Sequence, residues 1–432
     1  MKELFSAFES PSKQEWLEKI KVDLKGKEFD SSMINNYSIE DIEFWSQHHR
    51  SDTNQDHQVP GSGSFKRGNR TENNEWEIVA EIPATSPKEM NAFALDCLMK
   101  GNTALTIDLG NFNNDACKEI VNQIGFDHIS TTFKVNTNEQ LEFVEELLKQ
   151  FPNARIDVFN SHQKSKTLRG RSQLINAVDI LNAGGNSIQE IAYALHEGHT
   201  QLHSLLSNGE TIDKASLQLK FTFGIGNLYF IEIAKFRAFR SLWSFIIEQY
   251  NPKEECSKTA YIEAKSIFVN KSLQDPYTNL LRLTTEGLSA AVGGVNEINL
   301  LPYDTFAENK KTHFTQRMSN NISLLLKEEA YINQVIDVAG GSYALEKITE
   351  EIQSKAWELF QSIEKEGLKA LKEAVLNKRK QRIEAVENGS QMLIGVNKYP
   401  NIETVTNNWI ETPETPFGSY LILERDAKTE LA

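Results

Sequence analysis

The 432-residue chain is poor in the features that most often announce chemistry. Its three cysteines, Cys97, Cys117 and Cys256, are widely spaced, odd in number and never in a Cys-x-x-Cys pair. That points away from a disulfide framework or a zinc knuckle and toward buried free thiols. Basic residues are in deficit, 46 against 60 acidic, for a net charge of −14. A nucleic-acid coat or a general attraction to anionic membranes is thereby disfavoured, although a local basic patch could still hold a phosphate. No apolar run approaches the ~20 residues of a membrane span. The opening MKELFSAFESPSKQEW carries charges through its apolar positions and has no signal-peptide core, so a reducing cytoplasm is the expected location. Gly-x-Ser-x-Gly, Walker and Gly-x-Gly-x-x-Gly signatures are all missing.

What is present is ordinary globular composition, 25% charged and 39% hydrophobic, in a chain long enough for at least one large core. Residues 1–74 differ from the rest. In SKQEWLEKIKVDLKG the spacing of Trp16, Ile20 and Leu24 predicts a helix stopped at Gly26. A long polar, Gly/Ser/Asn-rich stretch follows, either mobile or ordered by packing on something else. From Trp76 onward, strand-like runs alternate with helical ones: WEIVAEI, ALTIDL, STTFKV, ARIDVF, a weak QLINA, LKFTFGI, KSIFVN and INLLPY. Such alternation implies parallel strands with right-handed crossovers, and eight units suit a (β/α)8 TIM barrel. The expected division is an N-terminal extension over 1–74, a barrel over 75–345, and C-terminal helices and a tail over 346–432. Ala356, Trp357, Phe360 and Ile363 are expected to pack the last helical segment.

Candidate functional residues are scattered. In QLINAVDILNAGG, residues 173–185, Asp179 follows a short strand and precedes a Gly pair, a natural place for a catalytic carboxylate. Asp108, Asn160, Asn270 and Asp304 also fall near strand ends, yet Asp and Asn are equally common as caps and loop starters. His196, His199 and His203 in HEGHTQLH share one helical arc, but Thr200 stands where a zinc-protease motif begun at His196 needs its second His. A polar helix face is the reading preferred over a metal site. The Gly pairs in AVGG (291–294) and AGGS (339–342) could approach a ligand backbone or make tight turns. In GNLYFIEIAKFRAFRSLWSFI (226–246), Phe230, Ile233, Phe236, Phe239 and Trp243 make a wide apolar arc, with Lys235, Arg237 and Arg240 on the remaining side. So wide an arc must be covered by the barrel, or by another chain as well. No acid–base pair assembles, so no catalytic, cofactor-binding or metal residue is assigned.

The segments FGIGNLYFIEIAKFRAFRSLW (223–243), DPYTNLLRLTTEGLSAAVGGVNEINLLPYD (275–304) and the stretch from VIDVAGGSYALEKITEEI to EKEG (335–367) resemble the barrel of methylmalonyl-CoA mutases. WLEKIKVDLKG and IGVNKYPN extend the resemblance over most of the chain. It implies a barrel in which acyl-CoA lies along the axis, and radical isomerisation of methylmalonyl-CoA and succinyl-CoA with adenosylcobalamin held by a C-terminal domain. Two departures stand out. The Asp-x-His-x-x-Gly motif of the cobalamin domain is missing from this sequence. The catalytic Ser-Gly-Tyr-His pattern, anchored on Ala183-Gly184-Gly185, falls on Asn176, Ala177, Val178 and Asp179, so Val and Asp replace the Tyr-His pair. An ionised carboxylate cannot donate a hydrogen bond to a thioester oxygen as an imidazole does. SIFVNKSLQDPY likewise replaces the Gln-Thr-Ser-Gly-Trp region of catalytic chains.

The resemblance therefore implies a small, non-catalytic subunit with no cobalamin-binding domain, paired through its N-terminal extension (1–74) as contact arm with a homologous large catalytic chain that brings the cofactor. The alternative is the substrate barrel of a split acyl-CoA mutase whose cobalamin domain is a separate chain. CoA binding is left open, because bulky side chains inside the barrel would plug it, and Phe221 and Phe223 could face either way.

Overall fold

The computed structural model describes residues 11–25, 34–37, 39–45, 48–52, 59–160, 170–308, 312–401 and 408–427. Its centre is an eight-stranded parallel sheet: β1 (Glu77–Glu81), β2 (Ala104–Asp108), β3 (Ser130–Val135), β4 (Arg155–Asn160), β5 (Gln173–Asn176), β6 (Leu219–Ile225), β7 (Ile262–Ser266) and β8 (Glu297–Asn299). The strand order is β4-β3-β2-β1-β8-β7-β6-β5, a barrel nearly closed. At the remaining seam the Val158 amide donates to the Arg171 carbonyl at 2.9 Å. Outside lie α1 (Pro87–Met99), α2 (Asn114–Ile120), α3 (Asn138–Gln150), α4 (Val178–Asn182), α5 (Ser187–Ser207), α6 (Tyr229–Glu248), α7 (Thr278–Val292) and α8 (Thr312–Leu324), then α9 (Tyr343–Glu366) and α10 (Leu368–Glu387).

Helix starts follow local chemistry. Ser86 and Glu89 form a capping box before α1, with Pro87 in its first turn, and Asn186 and Gln189 do the same for α5. Two strand boundaries differ from the sequence expectation. The seventh strand is Ile262–Ser266 rather than a run from 265 to 270, and the eighth is Glu297–Asn299 rather than 298–303. Both true strands carry inward-facing charged residues, which masked them in an apolar pattern.

The main core lies between strands β5–β8 and helices α5, α6 and α9, and Ile348, Ile352, Ala356, Phe360 and Ile363 bring α9 fully into it. Trp357 is half-buried. A second core joins β1–β4 to α1–α3. The N-terminal helix, Lys13–Asp23, has its Ser12/Glu15 capping box and buries no residue completely. Gly26, its expected stop, lies outside the described residues. An antiparallel hairpin, Ile34–Tyr37 with Ile42–Trp45, follows. At its turn, Glu40 accepts from the Ser187 amide (3.0 Å) and from Arg382 (2.7 Å). The described end of the polar stretch is ordered by packing on the barrel's own helices. Arg67 pairs with Asp337 at 2.7 Å, Lys66 with Glu346 at 3.0 Å, and Arg240 donates to the Phe65 and Lys66 carbonyls.

Candidate functional site

In parallel strands covered by helices, one face usually packs on the helices and the other fills the barrel with branched apolar side chains. Here the outer face is apolar and the inner face is charged. Phe221 and Phe223 of β6 point outward: Phe221 packs edge-on to Phe239 and Trp243, and Phe223 to Phe236 and Phe239. Their neighbours Lys220 and Thr222 therefore point inward. Lys220 meets Glu297 of β8 at 2.5 Å and Glu263 of β7 at 3.2 Å, and reaches Thr132 of β3 across the barrel at 3.3 Å. One layer nearer the carboxyl ends of the strands, Lys265 pairs with Glu81 at 2.6 Å, and Asn299 donates to Glu263 (2.9 Å) and Glu81 (3.2 Å).

This ladder is electrostatically self-consistent. Burial alone would raise the Glu263 carboxyl, but Lys220 and the Asn299 amide draw it down to about 2. Burial holds Glu297 above the usual carboxylate range, with Glu263 repelling its charge and Lys220 opposing the shift. Lys220 is held firmly protonated by both carboxylates against the cost of its burial. At the amino end of the strands a cavity of about 890 Å3 remains, lined by Thr132, Asp157, Arg171, Tyr261 and Glu297 among others. Glu81, Glu263, Lys265 and Asn299 do not line it. They occupy the axis beyond it.

The opposite face, where the strands end, is covered by the chain itself. The Leu421 amide donates to the Asn182 carbonyl at 2.6 Å, Leu423 to Val269 at 3.1 Å and Ile410 to Phe306 at 2.9 Å. Phe268, Leu301, Phe306 and Ile422 form a small apolar cluster beneath Trp409 and Tyr420. A large cofactor capping the barrel, as the sequence resemblance implies for catalytic chains, does not fit against this covered face.

Asp179 sits in α4 under that cover. It accepts from the Tyr420 hydroxyl at 2.8 Å and from the Asn176 amide at 2.9 Å. Burial raises its carboxyl, while Tyr420 and the more distant Lys265 oppose the shift. One oxygen thus fastens the tail and the other holds Asn176 at the end of β5.

The other sequence candidates separate. Asp108 is exposed and accepts from the Gly110 amide at 2.8 Å, a turn contact. Asn270 is buried, donating to Glu286 at 2.8 Å beside Lys271. Asp304 is buried in the turn after β8, its carbonyl accepting from the Ala307 amide. The side chain of Asn160 lies outside the described residues. His196, His199 and His203 face α9 and the end of α6, away from the barrel mouth. His196 meets Glu364 at 2.5 Å, and His199 and His203 share the Tyr250 hydroxyl at 2.8 and 3.0 Å. Burial lowers the pKa of His199. Among the described residues no three His, Cys, Asp or Glu are arranged to hold a metal ion. Burial raises the Cys97 and Cys117 thiols to about 12 and about 11, and Cys256 is exposed. The Gly pairs make turns: Arg240 donates to the Gly293 carbonyl at 2.8 Å, and the Gly341 amide to Glu346 at 3.2 Å.

Helix α6 is covered more widely than its apolar arc alone requires. Lys235, Arg237 and Arg240, on the side left by the apolar arc, are buried as well, so most of the helix is covered by its own chain. Phe230, expected to pack, is half exposed. Arg237 bridges Asp337 and Glu346, and Lys235 meets Glu232 at 2.5 Å and Glu190 at 2.8 Å. Burial pushes Glu190 up to about 8, opposed by Lys235 and aided by repulsion from Glu232. Folded chains therefore keep a proton that unfolded chains release above about pH 4.5. This group's contribution to stability accordingly falls as pH rises from there through about 8. Glu190→Gln is expected to flatten the loss of stability over that window. The check is the urea midpoint as a function of pH, and an unchanged slope would refute the assignment.

The inward charges Lys220, Glu263, Lys265 and Glu297 were not among the sequence candidates. Their signal was strict alternation, as in LKFTF and IEAKS, inside strands whose neighbours read as buried.

Residues 154–416 match the methylmalonyl-CoA mutase family. The methylmalonyl-CoA mutase small subunit of Porphyromonas gingivalis is 30% identical over 94% of this chain and 72% of its own length. The methylmalonyl-CoA mutase of Cereibacter sphaeroides is 34% identical over 52% of this chain and 33% of its own. The human mitochondrial methylmalonyl-CoA mutase is 33% identical over 52% and 31%. The chain thus spans most of the small subunit and about a third of the other two. No described helix is long and apolar enough to cross a membrane. By the extent of these matches, carried on a barrel of the expected topology, the chain belongs to the methylmalonyl-CoA mutase family.

Proposed function

We propose that this chain is the small, non-catalytic subunit of a heterodimeric adenosylcobalamin-dependent methylmalonyl-CoA mutase in cytoplasmic propionate metabolism. The homologous large chain supplies the active site and the cofactor. The observation that carries the reading is the ladder of paired charged side chains across the barrel axis. A barrel that threads an acyl-CoA along its axis needs small inward side chains, whereas Lys220, Glu263, Lys265, Glu297 and Glu81 occupy that space and satisfy one another. The split-mutase alternative needs an open axis for the same reason. The Val178 and Asp179 pair and the tail lying over the strand ends support the reading further.

Its test is co-expression with the catalytic mutase chain of the same organism. The expected result is a complex of equal stoichiometry whose turnover of methylmalonyl-CoA changes by less than about two-fold in Asp179→Ala. Clean separation of two folded chains at micromolar concentration would refute the subunit role. Saturable turnover by this chain mixed only with a cobalamin-domain protein would favour the split enzyme instead.

A further inference from the structure

The cavity of about 890 Å3 below the charged ladder, at the amino ends of the strands, lies in the size range of small-molecule sites. Its walls carry hydrogen-bonding capacity that the chain itself does not use. Leu105 and Ile107 of β2 turn outward into the core shared with α1–α3, so Thr106 between them turns into the barrel. Thr106 lines the cavity and is 7% exposed, and its hydroxyl has no hydrogen-bond partner among the described residues. Thr132 of β3 accepts from Lys220 and keeps its own proton to donate. Arg171, just before β5, is held by two contacts. Its amide and Nη1 donate to Asp157, and its guanidinium lies 3.2 Å from the centre of the Tyr261 ring. Its Nε and Nη2 donate to no described residue. Glu297 accepts one hydrogen bond on each oxygen, from Tyr261 and from Lys220, where a carboxylate oxygen can take two.

The geometry points to this cavity as a binding site for a small uncharged molecule bearing neighbouring hydroxyl groups, a sugar or polyol. The role goes beyond the subunit reading and does not depend on it. The balance of charge selects the ligand class. Three acidic residues, Glu145, Asp157 and Glu297, and three basic ones, Lys149, Arg155 and Arg171, line the cavity. At its inner end an anion would lie against Asp157 and Glu297, and a cation against Arg171 with Lys220 behind. Those charges are already paired with one another, and burying a further charge without a partner is costly. A hydroxyl group avoids that penalty. It accepts from Arg171 or Thr106 and donates to Glu297 or Asp157, so spare donors and acceptors on the wall meet a group that is both. An apolar molecule would cover those groups and leave them unpaired. Pairing with Asp157 and stacking on Tyr261 hold Arg171 in place before a ligand arrives, which reduces the ordering that binding requires.

The test titrates the full chain with sorbitol and with D-glucose, and separately with coenzyme A and with inorganic phosphate, followed by saturation-transfer NMR. Saturable binding of sorbitol or D-glucose is expected. Thr106→Val keeps the shape of the side chain, removes its hydroxyl, and should weaken that binding about 3- to 10-fold, the loss of one hydrogen bond. Its unfolding midpoint should not fall below the parent's, because the hydroxyl it removes has no partner within the chain. Thr106→Ser, which keeps the hydroxyl, should bind as the parent does. So should Thr284→Val, at an exposed position on α7. No saturable binding of either neutral probe, or equal binding by the parent and Thr106→Val, would overturn the site. Binding of coenzyme A or phosphate in place of the neutral probes would overturn the ligand class. The subunit role is decided separately, by co-purification with the catalytic chain.

Discussion

Lys220→Met is expected to destabilise the chain by about 3–5 kcal/mol, the cost of breaking a buried ion pair by removing one partner. The methionine nearly matches the lysine in volume, so the loss is electrostatic rather than a cavity. Two carboxylates, Glu263 and Glu297, would remain in the barrel without the ammonium that lies 3.2 and 2.5 Å from them. Asn299 and the more distant Lys265 compensate Glu263, while Glu297 keeps only the neutral Tyr261 hydroxyl at 2.9 Å. The deficit has a pH signature. With Lys220 gone, the folded-state Glu297 carboxyl, already raised, loses the charge that opposes the shift, so the variant's stability falls further behind the parent's as pH rises from 5 to 8. Adding Glu297→Gln removes one unpaired charge and should return part of the loss. Urea unfolding of the three proteins across pH decides the matter. A Lys220→Met deficit under about 1 kcal/mol at pH 8 would mean that the axis is well hydrated and the ladder adds little.

Trp243→Ala should cost about 3–5 kcal/mol, the range for truncating a large buried aromatic residue. Trp243 has no exposed surface, and its ring lies 4.8 Å from Phe221 and 6.4 Å from Phe239, stacked on the latter. The site cannot collapse easily, because helix α5 already approaches it through Gly198. A Cβ at that glycine would stand 2.7 Å from Phe221 and 3.0 Å from Trp243. Phe245→Ala, two residues along the same helix but half exposed, should cost less than about 1 kcal/mol. Chemical denaturation of the two variants makes the comparison, and equal losses would contradict the enclosed position of α6.

These two residues show how legible the chain was. The apolar arc of α6 was visible in sequence, because Phe236, Phe239 and Trp243 recur at helical spacing. Its cover was not visible, since α5 and α9 reach it from residues far away in the chain. Lys235, Arg237 and Arg240 could be placed on the side left by the arc, but not as buried, because charges seldom are. Glu190 is 45 residues from its partner Lys235, and Asp337 and Glu346 are 100 and 109 residues from theirs, Arg237. Asp179 was singled out correctly as standing at a strand end. Its occupation by Tyr420, 241 residues away, could not be read from its neighbours.

Alternating strand and helix signals determined the barrel, because each strand's composition and each cap act over a few residues. Long ordered segments determined the family for the same reason, since residue order is itself a sequence property. Whether the barrel is open was decided only by tertiary structure. Each of Lys220, Glu263, Lys265 and Glu297 is one charge in one strand, and a one-residue change of register would turn it out of the barrel. Only closure of eight strands brings them face to face on one axis. There, mutual pairing joins residues that separately read as surface into one charged ladder across the barrel.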